Sequence, residues 1–126
     1  MTKLFRGIEV NIPADPEFKE YFNLEEGLTR VMKKEALYVK LLNSFVQNTY
    51  MGKLSSEIER SDIENAAMTA HTIKGIAANL SLTKLYSTVL ALEVKLKEKA
   101  PCQTEFQQMQ SVLAKTVEFA NMIINN

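Results

Sequence analysis

The stretch Ala70 to Leu82, Ala-His-Thr-Ile-Lys-Gly-Ile-Ala-Ala-Asn-Leu-Ser-Leu, holds the only histidine of the chain, His71. Wound as a helix at about 100° per residue, it continues an apolar face that begins upstream. Ile63, Ala66, Ala70, Ile73, Ala77 and Leu80 share one arc, with the i, i+3, i+7 recurrence of a buried stripe. His71 stands roughly 130° from the centre of that arc by the same arithmetic, so its imidazole is expected to face water. Ala67, Lys74, Gly75 and Ala78 share its side of the helix, and Met68 adjoins them. Two alanines, a glycine and one cation leave room for another protein to approach the ring. Glycine inside a helix costs about 1 kcal/mol relative to alanine, and close approach of a partner gives Gly75 its reason.

Outward from this stretch, Ser61 and Glu64 have the spacing of a capping box, which predicts a helix from Asp62 to about Leu80. Downstream, Leu85, Tyr86, Val89, Leu92 and Leu96 form the apolar stripe of the next helix, which ends near Ala100 because Pro101 cannot continue it. Thr104 with Gln107 gives a further capping box, opening a last helix that buries Phe106, Met109, Val112, Leu113, Val117, Ala120 and Ile124. Upstream, Leu37, Tyr38, Leu41, Leu42 and Phe45 predict an amphipathic helix from Glu35 to about Tyr50, with Gly52 as its stop. Asn23 with Glu26 caps a helix over Leu24 to Met32, and Pro16 suits the first helical position of a short helix beginning at Asp15. Phe18, Phe22, Leu24, Leu28 and Val31 would close one end of the assembly. Residues 1–14, with Gly7 and Pro13 and no sustained period, read as an irregular lead-in to one domain over 15–126. No alternating β-rich segment, repeat or low-complexity tract is present. The expected fold is therefore all-α, an antiparallel four-helix bundle with one or two short N-terminal helices.

A chain of 126 residues suffices for one domain with a real core. Hydrophobic residues make up 46% and charged residues 24%, a globular composition rather than a disordered one. Fifteen basic and fifteen acidic side chains cancel, which gives no support for binding nucleic acid or an anionic membrane. Cys102 is the only cysteine, so no intramolecular disulfide can form. No apolar run approaches the ~20 residues that span a bilayer, and the N-terminus lacks the apolar core of a secretory signal. The cytoplasm is the expected compartment, and Met1 favours a free-standing chain over one excised from a hybrid kinase. One His and one Cys thirty-one positions apart have no metal-ligand spacing. The six methionines read as core filler, and Lys95, Lys97 and Lys99 as a solvated helix face.

If the turn between the histidine helix and the next is centred near Leu82, His71 lies eleven positions before it and Glu93 eleven after. The two then share one height in the hairpin. Glu93 is placed to accept a hydrogen bond from one ring nitrogen and leave the other free as a nucleophile; the plainer alternative is a solvated helix charge. Imidazole forms covalent intermediates, and an exposed one with small neighbours suits in-line phosphoryl transfer, which is mostly positioning and charge neutralisation. Lys74, one turn along, offers a point charge to phosphoryl oxygens.

His71-Thr72-Ile73-Lys74-Gly75, continued by Ala77-Ala78-Asn79-Leu80 and later Leu92-Glu93, resembles the histidine-containing phosphotransfer (HPt) domain of two-component phosphorelays. Glu26-Gly27-Leu28-Thr29-Arg30, Ala36-Leu37-Tyr38 and Leu41-Leu42-Asn43-Ser44-Phe45 are similar to that family's first two helices. The resemblance covers roughly residues 20–125. It implies a helical phosphocarrier without kinase activity of its own, passing phosphate between receiver-domain aspartates. His71 would be the phosphoacceptor, Lys74 the stabilising cation and Glu93 the side chain that orients the ring. Ala67, Met68, Gly75 and Ala78 would form the docking face. The implied partners are a response-regulator receiver domain and a sensor or hybrid histidine kinase; no cofactor is expected on this chain, a monomer, and Mg²⁺ would come with the receiver. Ser81 departs from the glycine usual in the family's turn, and a serine there can cap the next helix.

Three other readings remain open. One is an enzyme using His71 as general acid or base, for which Glu93 is the only second group in sight. Another is an adaptor bundle that binds receivers without being phosphorylated. The third is a sensor-kinase dimerisation hairpin, although the acidic residue and proline that typically follow that family's histidine are absent here.

Overall fold

A computed structural model of the protein describes residues 2–5 and 8–125. Met1, Gly7 and Asn126, on which parts of the sequence reading fall, lie outside these residues. Among the described residues, seven helices follow a short hairpin. The helices are α1 (Phe18–Tyr21), α2 (Leu24–Arg30), α3 (Glu35–Gln47), α4 (Met51–Glu59), α5 (Ile63–Leu80), α6 (Thr83–Lys97) and α7 (Gln103–Ile124). The four long helices close a ring in which α5 packs on α6, α6 on α7, α7 on α3 and α3 on α5. Tyr38, early in α3, donates its hydroxyl proton to the Leu80 carbonyl at the end of α5 over 2.8 Å, so these two helices run antiparallel. The fold is thus the all-α bundle that the 3.6-residue period predicts.

The seams follow the predicted stripes with some shifts. Ala66, Ala70, Ile73, Ala77 and Leu80 of α5 are buried, as are Leu85, Val89, Leu92 and Leu96 of α6, while Ile63 is half-buried. Leu37 and Leu41 of α3, and Tyr86 of α6, are turned outward instead of joining the core. On α3 the buried set is Tyr38, Leu42 and Phe45, spaced 4 and 3, and Leu37 and Leu41 fall on the flank of that arc. At one end Phe119 of α7 meets Phe18 and Tyr21 edge-on, each at 5.4 Å, and Phe18 stacks on Phe22 at 4.9 Å. Offset and edge-on rings of this kind add to plain burial. The N-terminal helices are tied to the α5–α6 turn, because Asn23 N–H donates to the Ser81 carbonyl and the Thr83 hydroxyl to the Glu20 carbonyl.

Several local expectations are corrected. Thr2–Phe5 (β1) and Ile8–Asn11 (β2) pair as an antiparallel hairpin, Thr2 opposite Asn11, within the segment read as an irregular lead-in. Gly52 does not stop α3. That helix ends at Gln47, the Asn48 side chain accepts from Tyr50 N–H, and Tyr50 turns left-handed (φ 63°) to start α4, whose first turn contains Gly52. Neither downstream capping box forms. Ser61 is left-handed (φ 57°) and closes α4 in a paired turn, its N–H donating to Ile58 and that of Asp62 to Glu57, so its hydroxyl is not in position to cap α5. Thr104 already lies inside α7, which begins at Gln103. Ser81 closes α5 left-handed (φ 56°) in the same kind of turn and does not cap α6, and α6 itself ends at Lys97, short of Ala100. The Asn23 cap on Glu26 N–H does form, at 3.2 Å, but α2 ends at Arg30.

Candidate functional site

The α5–α6 connection is only two residues long, so the helices leave it as a tight hairpin, and positions equidistant from Leu82 face each other. His71 Nδ1 lies 2.9 Å from Glu93 Oε2. The imidazole side chain is 68% exposed and the Glu93 side chain only 2%. A carboxylate that deep requires partners, and it has three. Lys74 Nζ lies 2.6 Å from Oε1, while Lys97 Nζ, at 3.2 Å, shares Oε2 with the imidazole. Burial alone would push the Glu93 carboxyl up; hydrogen bonds from Lys74, Lys97 and His71 outweigh it and hold the group below the usual carboxylate range. An ionised carboxylate only accepts hydrogen bonds. Nδ1 must therefore be the donor, which fixes the ring tautomer and leaves the Nε2 lone pair on the exposed side.

Lys74 does not stand as the open surface cation that its helix position suggests. Its side chain is largely covered, and its ammonium is held by Glu93, whose hydrogen bond raises the Lys74 pKa against the opposing effect of burial. Gly75 is exposed, and a Cβ added there would meet nothing within 4 Å, so nothing in this chain requires a glycine. Ala67 and Ala78 are half-buried and Met68 is 68% exposed, which leaves a low, partly apolar surface around the ring.

Beside His71 lies a groove of about 520 Å³ walled by Tyr50, which precedes α4, Lys53 from α4, Met68 and Thr72 from α5, and Lys97 from α6. The α4 wall is anchored by a second buried carboxylate. Thr69 donates its hydroxyl to Glu57 Oε1 over 2.6 Å, and Lys53 Nζ reaches Glu57 Oε2 at 2.7 Å and Thr69 Oγ1 at 3.0 Å. Here too burial works upward on the carboxyl, and the Lys53 and Thr69 hydrogen bonds hold it below its ordinary value. The sequence places Lys97 only on a solvated helix face, whereas its ammonium lies 3.2 Å from Glu93 Oε2, and it does not single out the Lys53–Glu57–Thr69 cluster. For Lys97 the signal existed, since Glu93 and Lys97 stand at i, i+4 in the favourable order. For Glu57 there was none, because nothing in the sequence marks its carboxylate as buried.

Among the described residues, no group of three or more His, Cys, Asp or Glu side chains is placed to hold a metal ion, and no helix is long and apolar enough to cross a membrane. The family model described as Hpt domain matches residues 41–119, a span that contains His71, Lys74, Gly75, Glu93 and Lys97. No curated protein and no solved structure gives a significant match.

Proposed function

Since the chain belongs to the Hpt domain family, phosphocarriers of two-component signalling that work with receiver domains and histidine kinases, we propose that His71 accepts a phosphoryl group from a receiver aspartate or a sensor kinase and passes it to a response-regulator receiver domain. The observation that carries this reading is the Nδ1–Glu93 bond on a ring that is otherwise open to solvent. It aims the nucleophilic lone pair outward and places a fixed negative charge behind the ring.

In the forward step the Nε2 lone pair attacks the phosphorus of an aspartyl phosphate. The N–P bond forms as the P–O bond breaks, and the bonding pair leaves with the aspartate carboxylate. Nδ1 keeps its proton, so the phosphorylated ring carries a positive charge, which Glu93 balances across 2.9 Å. Lys74 supplies positive charge one turn along, where phosphoryl oxygens would lie. Gly75 and Ala78 leave space for the partner backbone, with Ala67 and Met68 at the edge of the docking face. Mg²⁺ is assigned to carboxylates of the receiver, and this chain to no cofactor. The relay is placed in the cytoplasm, as a monomer.

A receiver domain or sensor kinase carrying labelled phosphate is expected, with Mg²⁺, to label this protein. The label should be acid-labile and alkali-stable, as a phosphoramidate is, and His71→Gln should abolish it. Label that persists in the His71→Gln protein refutes the assignment.

A further inference from the structure

Glu93 presents a conflict, because a carboxylate 2.9 Å from an imidazole orients the ring and also favours its protonated form. An imidazolium has no lone pair on Nε2 and cannot attack phosphorus. A Glu93–His71 pair alone would aim the nucleophile while disarming it. Resting on the phosphoacceptor reading of His71, we infer that Lys97 is a positioning residue of the relay, which by sharing Glu93 Oε2 with Nδ1 offsets the pull of that oxygen and keeps Nε2 unprotonated and reactive.

The charges around the ring support this. From α6 come Glu93 and Lys97, and from α5 comes Lys74, bound to the other carboxylate oxygen. Tyr50, just before α4, and Lys53 of α4 line the same groove, with Lys53 paired to Glu57 and therefore locally balanced. The one carboxylate bonded to the imidazole thus holds two ammonium groups, a surplus of one positive charge that opposes a second ring proton. Removing Lys97 leaves Glu93 and Lys74 balanced and the opposition gone. Lys97 suits the task because it sits on the same oxygen as the ring, at 3.2 Å, while its side chain is 63% exposed, so it can be changed without opening the core.

The test uses the single imidazole of the chain, whose ring C–H resonances titrate alone in an NMR spectrum. In Lys97→Met the titration midpoint should move to higher pH by about half a unit, a roughly threefold change in the protonation equilibrium. The acid limb of the phosphotransfer rate against pH should move with it, so that the loss of rate is greatest at low pH and shrinks as the pH rises. Lys97→Arg, which retains the charge and the reach, should restore both. A midpoint that stays in place or moves down in folded Lys97→Met overturns the inference. So does an equal loss of transfer at every pH, which marks Lys97 as a docking contact. These outcomes are separate from the phosphoacceptor assignment, which fails if wild-type protein takes no label on His71 whatever the titration does.

Discussion

Gly27 and Gly75 are both helical glycines, and the fold treats them in opposite ways. A Cβ at Gly27 would lie 2.7 Å from Tyr38 Cε1 and 3.0 Å from the Leu80 carbonyl oxygen. Neither neighbour gives easily, because the buried Tyr38 ring is held by its own hydrogen bond to that carbonyl. Gly27→Ala should therefore lower the unfolding free energy by roughly 1–3 kcal/mol, the usual cost of overpacking. At Gly75 the added methyl finds open space, and Gly75→Ala should raise stability by up to about 1 kcal/mol through helix propensity alone. Urea denaturation of the two variants checks both signs. A large residue at Gly75 should spare the melting temperature yet weaken binding of a receiver domain, measured by calorimetry; undiminished binding would remove the close-approach explanation of this glycine. Lys97 carries the complementary lesson. Read alone it is one more lysine on a charged helix face, and its importance comes from the carboxylate four residues before it, which the hairpin buries.

The α5–α6 hairpin positions His71, Lys74, Glu93 and Lys97, and Ser81 closes its first helix. That residue sits at φ 56°, where a side chain costs about 1 kcal/mol. Its hydroxyl donates to Glu26 Oε1 over 2.7 Å, a bond to a carboxylate that also faces Arg30 and is half exposed, worth about 1 kcal/mol net. Ser81→Gly removes both the strain and the bond, so chemical denaturation should find it within about 0.5 kcal/mol of wild type. Ser81→Ala keeps the strain and loses the bond, and should be less stable by about 1 kcal/mol. If the two variants prove equally stable, backbone strain at this position is not the governing term. The hairpin was legible in advance because counting outward from a short turn needs only residue numbers, and that count brings Glu93 level with His71. Caps were harder to read. Ser61 and Thr104 have the right spacing for capping boxes, but the conformation of the preceding helix end decides whether a serine is free to cap. Helix α4 is faint in the sequence because Met51, Leu54 and Ile58 form a thin stripe broken by Gly52 and two serines, and the partner that stabilises it, Thr69, is sixteen residues from Lys53 and twelve from Glu57.

Across the whole molecule, two buried carboxylates hold neighbouring helices to α5 on either side of His71. Glu57 ties α4 to α5 through Thr69, and Glu93 joins α6 to α5 through Lys74 and His71. Both are held below the ordinary carboxylate range in the folded protein. In the unfolded chain each reverts to an ordinary value near ~4.3. The unfolded state therefore binds more protons between the two values, and stability falls as the pH falls through that interval. Above the ordinary carboxylate pKa the stabilisation is fully present; it fades as the pH drops toward the folded-state values. The urea midpoint of the wild-type protein should thus be flat from about pH 7 to pH 5 and decline steeply below that. General repulsion also grows in acid, because fifteen basic side chains keep their charge while fifteen carboxylates lose theirs, so the decline alone does not identify its source. Glu57→Gln makes the distinction, since it removes one titrating group, stays outside the phosphoryl-transfer machinery and leaves the rest of the charge distribution in place. The variant should be less stable than wild type at pH 7 and approach it at pH 3, so the two curves converge in acid. Parallel curves would mean that Glu57 takes up its proton alike in both states, and that the attachment of α4 beside the histidine owes nothing to its charge.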